Sequence, residues 1–305
     1  MAHSSSGMLD CVIVGGGPAG LTAALYLARY GRKFAAIDSG ASRASWIPES
    51  HNIPAFVKGI AGPEILKRQR AHAELYGAEI VAGKVTELKR EFPGFEVVYQ
   101  DASGGISGMH TQFVLLATGV KDIGPALPDA ADAVKLGLVR YCPICDGYEA
   151  KGKKVAVIGY GDGGLGEAVF IARTFTPDVT VFSIGTPFVP SDCGKEKLKK
   201  YGIKCISAPL RSLALSGSKV VAMFKDGDRQ TFDTVYAAMG VEYRAGLATA
   251  LGAASDEKGA LWISAHSQTT IPGLYAAGDV TQGLNQIVVA MGQAAIAATA
   301  IHNRF

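Results

Sequence analysis

The sequence predicts an α/β protein in which parallel strands alternate with helices in two domains. A glycine-rich turn at residues 15–20, Gly-Gly-Gly-Pro-Ala-Gly, follows the apolar run 11–14. A second turn at residues 159–164, Gly-Tyr-Gly-Asp-Gly-Gly, follows the apolar run 155–158. Each G-x-G-x-x-G spacing lies between a buried-strand pattern and helix-forming sequence, which is the setting of a dinucleotide site. We therefore expect two Rossmann-like dinucleotide-binding domains, the second inserted into the first.

Hydrophobic periodicity predicts the elements of the first domain, and a long loop is its unusual feature. The stretch 39–62 is rich in Ser, Gly and Pro, and loops of that length inside a compact domain are usually functional. The predicted elements around it are strands over 9–14, 33–38, 85–101 and 111–116 and helices over 18–31 and 63–76.

The second domain is predicted to carry the second glycine turn, a helix over 164–174 and a strand over 179–182. An alanine-rich helix over 286–301 lies in the C-terminal segment that follows. The first nucleotide fold is incomplete until this segment returns to it. The predicted domains are therefore 8–120 together with 241–305 for the first dinucleotide, and 121–240 for the second.

Composition and charge exclude several classes of partner. The 305 residues carry a formal net charge of +3, which is too small and too scattered to indicate binding to nucleic acid or a membrane surface. No apolar run reaches the length of a membrane span. Five cysteines, an odd number, do not suit a secreted disulfide framework. We expect a cytoplasmic protein with no nucleic-acid or membrane partner.

Cys142 and Cys145, separated by Pro143 and Ile144, form the candidate redox centre. Thiol–disulfide exchange proceeds by thiolate attack, so one sulfur must reach the substrate and the other the electron donor. Two intervening residues allow a short turn that presents both sulfurs at bonding distance, and Pro143 suits the first position of a helical turn. Asp146 comes next and is a candidate general acid–base group.

A structural cysteine pair, or half of a zinc site, is the alternative interpretation. Tetrahedral zinc needs further ligands, and no second Cys/His pair with suitable spacing is present, so we expect no metal. Cys11 is expected to be buried in a strand, and Cys193 to be exposed without a redox role.

Asp38 ends the second predicted strand, about 20 residues beyond the first glycine turn, where a carboxylate accepts hydrogen bonds from the adenosine ribose of a dinucleotide. The alternative is a carboxylate that only stabilises the turn.

Together these motifs resemble the low-molecular-weight thioredoxin reductase family over residues 10–298. The distinguishing mark is that the cysteine pair lies in the second unit with two residues between its members. The supporting matches are Asn52-Ile53-Pro54, Gly62-Pro63-Glu64, Ala117-Thr118-Gly119, Ala276-Ala277-Gly278-Asp279-Val280 and Gln286-Ile287-Val288. The resemblance implies a flavin-dependent thiol–disulfide oxidoreductase and a homodimer. Electrons would pass from a reduced nicotinamide through FAD and the dithiol to a thioredoxin-like protein or a small disulfide substrate.

The resemblance also implies roles for single residues. Cys145 would face the flavin, and Cys142 would attack the substrate. The residues implied for FAD are Gly15, Gly17, Pro18, Ala19, Gly20, Asp38, Ser39, Asn52, Val85, Thr118, Gly119, Gly278, Asp279, Gln286 and Ile287. Those implied for the nicotinamide nucleotide are Gly159, Gly161, Asp162 and Gly163.

The predicted nicotinamide site departs from the family pattern. The family places a His-Arg-Arg run after the second strand of this unit, where it holds the 2′-phosphate of NADPH, whereas Ser183, Ile184 and Gly185 follow the strand here. These residues supply neither a cation for the phosphate nor a carboxylate for a free 2′-hydroxyl. We therefore expect weak binding of NADPH and NADH with little preference, and a non-nicotinamide electron donor is the alternative.

Two other functions stay open at this point. A Cys-Pro-x-Cys pair with a stripped nucleotide site is similar to a side branch that includes gliotoxin-type dithiol oxidases, which pass electrons to oxygen. That branch usually carries His after the second cysteine, whereas Asp146 stands here as in the reductases. The non-enzymatic alternative is a flavin-bound redox sensor.

Overall fold

A computed structural model of the chain describes residues 7–126 and 130–305 and has the predicted α/β composition. The strands are β1 (Leu9–Val14), β2 (Phe34–Asp38), β3 (Ile80–Glu91), β4 (Gly94–Asp101), β5 (Ile106–Leu116), β6 (Val120–Asp122), β7 (Val139–Arg140), β8 (Val155–Gly159), β9 (Val179–Phe182), β10 (Lys204–Cys205), β11 (Leu210–Ser216), β12 (Lys219–Phe224), β13 (Arg229–Phe232), β14 (Thr234–Ala238), β15 (Val241–Tyr243) and β16 (Leu274–Ala276). The α-helices are α1 (Pro18–Arg29), α2 (Gly62–Leu75), α3 (Ala130–Lys135), α4 (Pro143–Asp146), α5 (Gly161–Thr174), α6 (Asp192–Tyr201), α7 (Gly246–Thr249) and α8 (Ile287–His302).

Two compact units divide the chain. Unit 1 comprises the described residues up to Ser45 together with Gly62–Lys121 and Glu242–Phe305, and unit 2 comprises Trp46–Ala61 and Asp122–Val241. The segment Trp46–Ala61, which we expected in the first domain, groups with unit 2. Within it, Ser50 and Ile60 are joined by two backbone hydrogen bonds.

A mostly parallel sheet forms the centre of unit 1. β1 pairs in parallel with β2 on one side and β5 on the other, and β16 adds in parallel to β5. β3 pairs in parallel with β2, and antiparallel pairs then link β3 to β4 and β4 to β5. The carboxyl ends of β1, β2, β5 and β16 therefore lie at one edge of the sheet, which is where parallel α/β sheets bind ligands.

Alternate residues of β1 pack into two different hydrophobic clusters. Cys11 and Ile13 pack with α1 and α8, whereas Val12 and Val14 pack with residues of β5 and β16 on the other face. All four side chains are buried, as expected for a parallel strand covered on both faces. Burial raises the pKa of the Cys11 thiol, which keeps this cysteine chemically inert.

Small side chains bring α1 and α8 together. Ala23 and Ala24 of α1 and Ala294 and Ala297 of α8 are buried in one cluster. A 3.0 Å hydrogen bond between the hydroxyls of Tyr30, the C-cap residue of α1, and Thr299 of α8 also links the two helices. The C-terminal segment therefore completes the first nucleotide fold, as predicted.

Unit 2 contains a five-stranded parallel sheet in the order β10-β9-β8-β14-β7. α5 follows β8 directly, at the second glycine turn. A separate antiparallel sheet of β11, β12 and β13 is linked to β9 by ring contacts of Phe182 with Phe224 and Phe232. The sequence did not predict this second sheet.

Helix boundaries differ from the predicted ones by one to three residues, whereas β3 and β5 each begin five residues before the predicted strands. α1 ends at Arg29 because Tyr30 caps it and Gly31 reverses the chain with a φ of 66°. The predicted loop 39–62 contains a short 3-10 helix over Arg43–Trp46. Within residues 7–126 and 130–305, no helix is long and apolar enough to cross a membrane.

Candidate active site

Cys142 and Cys145 form a disulfide at the start of α4, with an S–S distance of 2.09 Å and a Cα–Cα distance of 5.3 Å. Pro143 occupies the first position of the helix, and Cys142 is its N-cap residue. The Cys145 N–H donates to the Cys142 carbonyl oxygen at 2.9 Å and lies 3.2 Å from the Cys142 sulfur. The predicted pairing is therefore present, on a turn that presents both sulfurs together.

The surface beside the disulfide is partly apolar. Ile144, between the two cysteines, is 47% exposed, and Tyr148, one turn later, is 67% exposed. The Lys151 ammonium lies 3.9 Å from the centre of the Tyr148 ring. Exposed apolar side chains next to a reactive pair can contact a partner molecule.

Asp146 is held from two neighbouring strands of unit 2. Arg140 Nη1 at the end of β7 lies 3.1 Å from Asp146 Oδ2, and Tyr236 Oη in β14 donates to Asp146 Oδ1 at 2.9 Å. Arg140 also donates to the Asp146 carbonyl oxygen at 2.9 Å and, through Nε, to the Gly137 carbonyl at 3.0 Å. These contacts attach the end of the redox turn to the sheet.

Burial and charge act on the Asp146 carboxyl in opposite directions. Desolvation raises its pKa, whereas the Arg140 charge and the Tyr236 hydrogen bond lower it, and the net direction is upward. Burial also raises the pKa of the Tyr236 phenol, which keeps that group a neutral donor. A carboxyl with a raised pKa holds a proton closer to neutral pH than an ordinary one, as a general acid requires. Sequence reasoning found Asp146 but neither Arg140 nor Tyr236, because only the strand pairing brings them together.

The first glycine turn contains two kinds of position. A Cβ at Gly20 would overlap the Gly15 carbonyl oxygen, so Gly20 lets the turn and α1 pack together. A Cβ at Gly17 would meet only the Ser42 hydroxyl, at 3.3 Å. Gly17 is also the N-cap of α1, and no described side chain caps it. The amides at this helix start are therefore available to an anionic group such as the FAD pyrophosphate.

Asp38 binds the first turn and its own loop at the same time. Its Oδ1 accepts hydrogen bonds from the Gly16 N–H at 3.2 Å and the Gly40 N–H at 3.0 Å, and its Oδ2 lies 2.8 Å from Arg70. The turn-stabilising role is thus present, and contact with the adenosine ribose stays a prediction. Arg70 lies in α2, and no sequence signal marked it as a partner.

Most of the residues predicted for FAD lie in unit 1, at the carboxyl edge of its sheet. Asp279 forms a 3.0 Å ion pair with Arg43 in the loop after β2, and the Thr118 hydroxyl donates to the Arg244 carbonyl at 2.7 Å. The residues that follow strand ends at this edge are Gly15, Gly17, Pro18, Ala19 and Gly20 after β1, Ser39 after β2, Thr118 and Gly119 after β5, and Gly278 and Asp279 after β16.

Four other predicted FAD residues lie elsewhere. Gln286 and Ile287 stand at the start of α8, and Val85 is a buried residue of β3. Asn52 belongs to the segment grouped with unit 2, where its side-chain oxygen accepts a hydrogen bond from the Ser50 hydroxyl at 2.9 Å. The role of Asn52 in FAD binding stays a prediction.

The second glycine turn, like the first, contains glycines that permit close packing and glycines that border open space. Added Cβ atoms at Gly159 and Gly164 would lie 2.5 and 2.6 Å from each other's Cα, so these two permit the close approach of β8 and α5. An added Cβ at Gly161 or Gly163 meets no described atom within 4 Å. Asp162 accepts hydrogen bonds from the hydroxyl of Ser191, the N-cap of α6, at 2.9 and 3.0 Å. Asp162 therefore links two helices, and its contact with a nucleotide stays a prediction.

The other three cysteines are free. Cys11 is buried and Cys193 is exposed, as expected, and Cys205 is half-buried in β10. Within the described part of the chain, no group of three or more His, Cys, Asp or Glu residues could hold a metal ion.

Comparison with known proteins gives matches along almost the whole chain. The model of the pyridine nucleotide-disulphide oxidoreductase family matches residues 9–294. A thioredoxin reductase of Bacillus subtilis is 27% identical over 98% of this chain and 96% of its own length. Thioredoxin reductase tcpT of Claviceps purpurea is 30% identical over 90% of this chain and 88% of its own. The crystal structure of thioredoxin reductase from Streptococcus pyogenes superposes with a TM-score of 0.88 at 27% identity, covering 98% of each chain.

Proposed function

Because the chain belongs to the pyridine nucleotide-disulphide oxidoreductase family, it is an FAD-dependent thiol–disulfide oxidoreductase, and we propose that it works as a thioredoxin reductase-like enzyme. Electrons enter from a nicotinamide nucleotide, NADPH or NADH, and leave through Cys142 and Cys145 to a disulfide substrate. The Cys142–Cys145 disulfide on an accessible turn of the second unit is the observation that carries this proposal.

The first glycine turn and the carboxyl edge of the unit 1 sheet fit FAD. The open position at Gly17 and the amides at the start of α1 suit the pyrophosphate, and Asp38 suits the adenosine ribose. Bound FAD supplies two-electron transfer between a nicotinamide and a disulfide. The chain's own residues hold the cofactor and carry out the exchange with the substrate.

The two cysteines have different tasks in this proposal. The Cys142 thiolate attacks one sulfur of the substrate disulfide, forms a mixed disulfide and releases the first substrate thiolate. The Cys145 thiolate then attacks Cys142, restores the Cys142–Cys145 disulfide and releases the second substrate thiolate. Each released thiolate takes up one proton. The nearby Cys145 N–H, 3.2 Å from the Cys142 sulfur, supports Cys142 as the attacking group because an amide donor stabilises a thiolate.

Asp146 is proposed to exchange protons with the dithiol. It directly follows Cys145, and burial raises its pKa towards the range in which a carboxyl can both give and accept a proton. Arg140 and Tyr236 hold the carboxyl in one orientation.

A thioredoxin-like protein is the proposed partner, and a small disulfide is the second candidate. Exposed Ile144 and Tyr148 beside the disulfide offer an apolar contact that a protein partner covers more completely than a small molecule. The names of the matched reductases support the same choice. We further propose a homodimer that works in the cytoplasm.

Anaerobic reduction of the bound flavin tests the electron donor, and turnover with a disulfide tests the acceptor. NADPH or NADH should bleach the flavin, and a thioredoxin disulfide should then restore the oxidised spectrum. Oxygen uptake driven by a dithiol, with no reduction by either nicotinamide, would instead identify a dithiol oxidase. Flavin binding without either reaction would identify a redox sensor.

A further inference from the structure

The loop that follows β9 lies next to a lysine that is distant in sequence. In a dinucleotide-binding unit, the end of the second strand faces the adenosine 2′-position, where a carboxylate selects NADH and a cation selects NADPH. Ser183, Ile184 and Gly185 occupy this loop and carry no charge. Lys225, in the turn between β12 and β13, donates from Nζ to the Gly185 carbonyl oxygen at 3.1 Å.

Core packing fixes the position of Lys225. The residue before it, Phe224, is buried with its ring centre 4.9 Å from that of Phe182, the last residue of β9. The Lys225 N–H donates to the Pro209 carbonyl at 3.0 Å. The strand that brings Lys225 to the β9 loop is therefore anchored by the hydrophobic core of unit 2.

A second cation, Arg211, directly follows a residue that pairs with the same loop. The Leu210 N–H donates to the Ser183 carbonyl at 2.8 Å, and Leu210 pairs in parallel with Ile184. Arg211 is the next residue of β11, and its side chain is exposed. Neither Lys225 nor Arg211 forms an ion pair with any residue in the described part of the chain, so both can meet an anion.

Nearby carboxylates are engaged in their own turn. Asp226 accepts from the Asp228 N–H at 3.1 Å, and Asp228 accepts from the Arg229 N–H at 2.8 Å and from the Gln230 side chain at 3.3 Å. On the loop itself, Ser183 is buried, and its hydroxyl donates to the Thr186 carbonyl. Position 183 thus carries a neutral serine and not a carboxylate that would repel a 2′-phosphate.

We propose that Lys225, assisted by Arg211, binds the 2′-phosphate of NADPH and makes this nucleotide the preferred donor. The ammonium exchanges the Gly185 carbonyl for phosphate oxygens, which a lysine binds as a compact charge. This reverses the expectation from sequence that both nucleotides bind weakly and without preference. The cation comes from another strand pair, so the local pattern could not reveal it. The inference rests on the proposed nicotinamide site in unit 2.

Fragment binding tests the site without requiring turnover. We would measure dissociation constants of 2′,5′-ADP and 5′-AMP, as well as NADPH and NADH, for the FAD-loaded protein. Lys225→Gln should weaken 2′,5′-ADP and NADPH about 10- to 100-fold and leave 5′-AMP and NADH unchanged. Lys225→Arg should retain most of the affinity.

Lys219→Gln is the matched control, because Lys219 begins the same strand that Lys225 follows and is exposed in a pair with Asp233. It should change none of the four constants. Equal weakening of all four ligands by Lys225→Gln, or no weakening at all, would overturn the proposal.

Flavin reduction separates this proposal from the function it rests on. Reduction by NADH with no response to NADPH would overturn the role of Lys225 while the nicotinamide donor stands. Selective loss of 2′,5′-ADP binding in Lys225→Gln, without flavin reduction by either nucleotide, would support the phosphate site and overturn the nicotinamide donor.

Discussion

Arg140 Nη1 lies 3.1 Å from Asp146 Oδ2 and donates a 2.9 Å hydrogen bond to the carbonyl oxygen of the same residue. One guanidinium therefore binds both the side chain and the backbone of the residue that follows the redox disulfide. The Arg140 side chain is 11% exposed, so this ion pair is screened by water less than a surface pair would be. The contact couples the protonation of Asp146 to the position of the redox turn.

Asp146→Asn should retain the flavin but slow disulfide turnover by about 10²-fold or more, because the amide cannot exchange a proton with the dithiol. The pH–rate profile should also lose the limb that Asp146 contributes. Arg140→Gln should move that limb to higher pH, because it removes a positive charge that lowers the Asp146 pKa. Arg140→Lys, which retains the charge, should move it less. An identical profile in all four proteins would assign Asp146 a structural role only.

The two redox cysteines should give different spectra when replaced. Cys142→Ser should leave a Cys145 thiolate beside the oxidised flavin and produce long-wavelength absorbance, whereas Cys145→Ser should not. Both variants should lose disulfide turnover, since neither can form the Cys142–Cys145 bond. Cys193→Ser is the matched control, because Cys193 is a free, exposed cysteine, and it should behave as the unmodified enzyme. Identical spectra for the two redox variants would remove the assignment of separate roles.

The strands and helices predicted well from sequence are those whose local hydrophobic pattern agrees with their burial in the fold. β1, α1 and β2, and likewise β8, α5 and β9, follow from apolar runs on either side of a glycine turn. The redox turn follows from the Cys-Pro-x-Cys spacing, because Pro143 and two intervening residues suffice to bring the sulfurs together. Each of these features depends on residues close in sequence.

The parts that sequence reasoning missed depend on contacts between distant residues. Arg140 and Tyr236 meet Asp146 only because β7 and β14 are neighbours in the sheet. Arg70 reaches Asp38 from α2, and Lys225 reaches Gly185 from the turn between β12 and β13. No local motif marks a cation that comes from another strand pair. The sequence of the loop after β9 therefore suggests an uncharged site, although the fold brings Lys225 to it.

Glu167 in α5 should make stability depend on pH. Its Oε2 is buried without a partner among the described residues, and burial raises its pKa to about 7. Its pKa in the unfolded chain is about 4.3, so the folded state binds more protons between these values and loses stability as pH rises through them. The loss amounts to at most about 4 kcal/mol and is complete above the folded-state pKa.

Glu167→Gln should therefore raise Tm relative to the unmodified protein near pH 8 and have little effect near pH 4, where the carboxyl is protonated in both states. Thermal unfolding followed by circular dichroism at the two pH values measures this. Glu196→Gln, on the exposed face of α6, serves as the control and should change Tm little at either pH. A Tm difference for Glu167→Gln of the same size at both pH values would contradict the assignment.

Gly17 and Gly20 should respond differently to an added side chain, although both belong to the first glycine turn. Gly17 has a φ of −77°, which any residue adopts, and its Cβ would meet only the Ser42 hydroxyl at 3.3 Å. Gly17→Val should therefore fold but lose bound FAD, because the side chain fills the space in front of the α1 amides. Gly20→Ala should instead reduce the yield of folded protein, because its Cβ overlaps the Gly15 carbonyl oxygen. The flavin-to-protein ratio and far-ultraviolet circular dichroism distinguish the two effects. Full flavin occupancy in a folded Gly17→Val protein would show that the first turn does not hold the pyrophosphate.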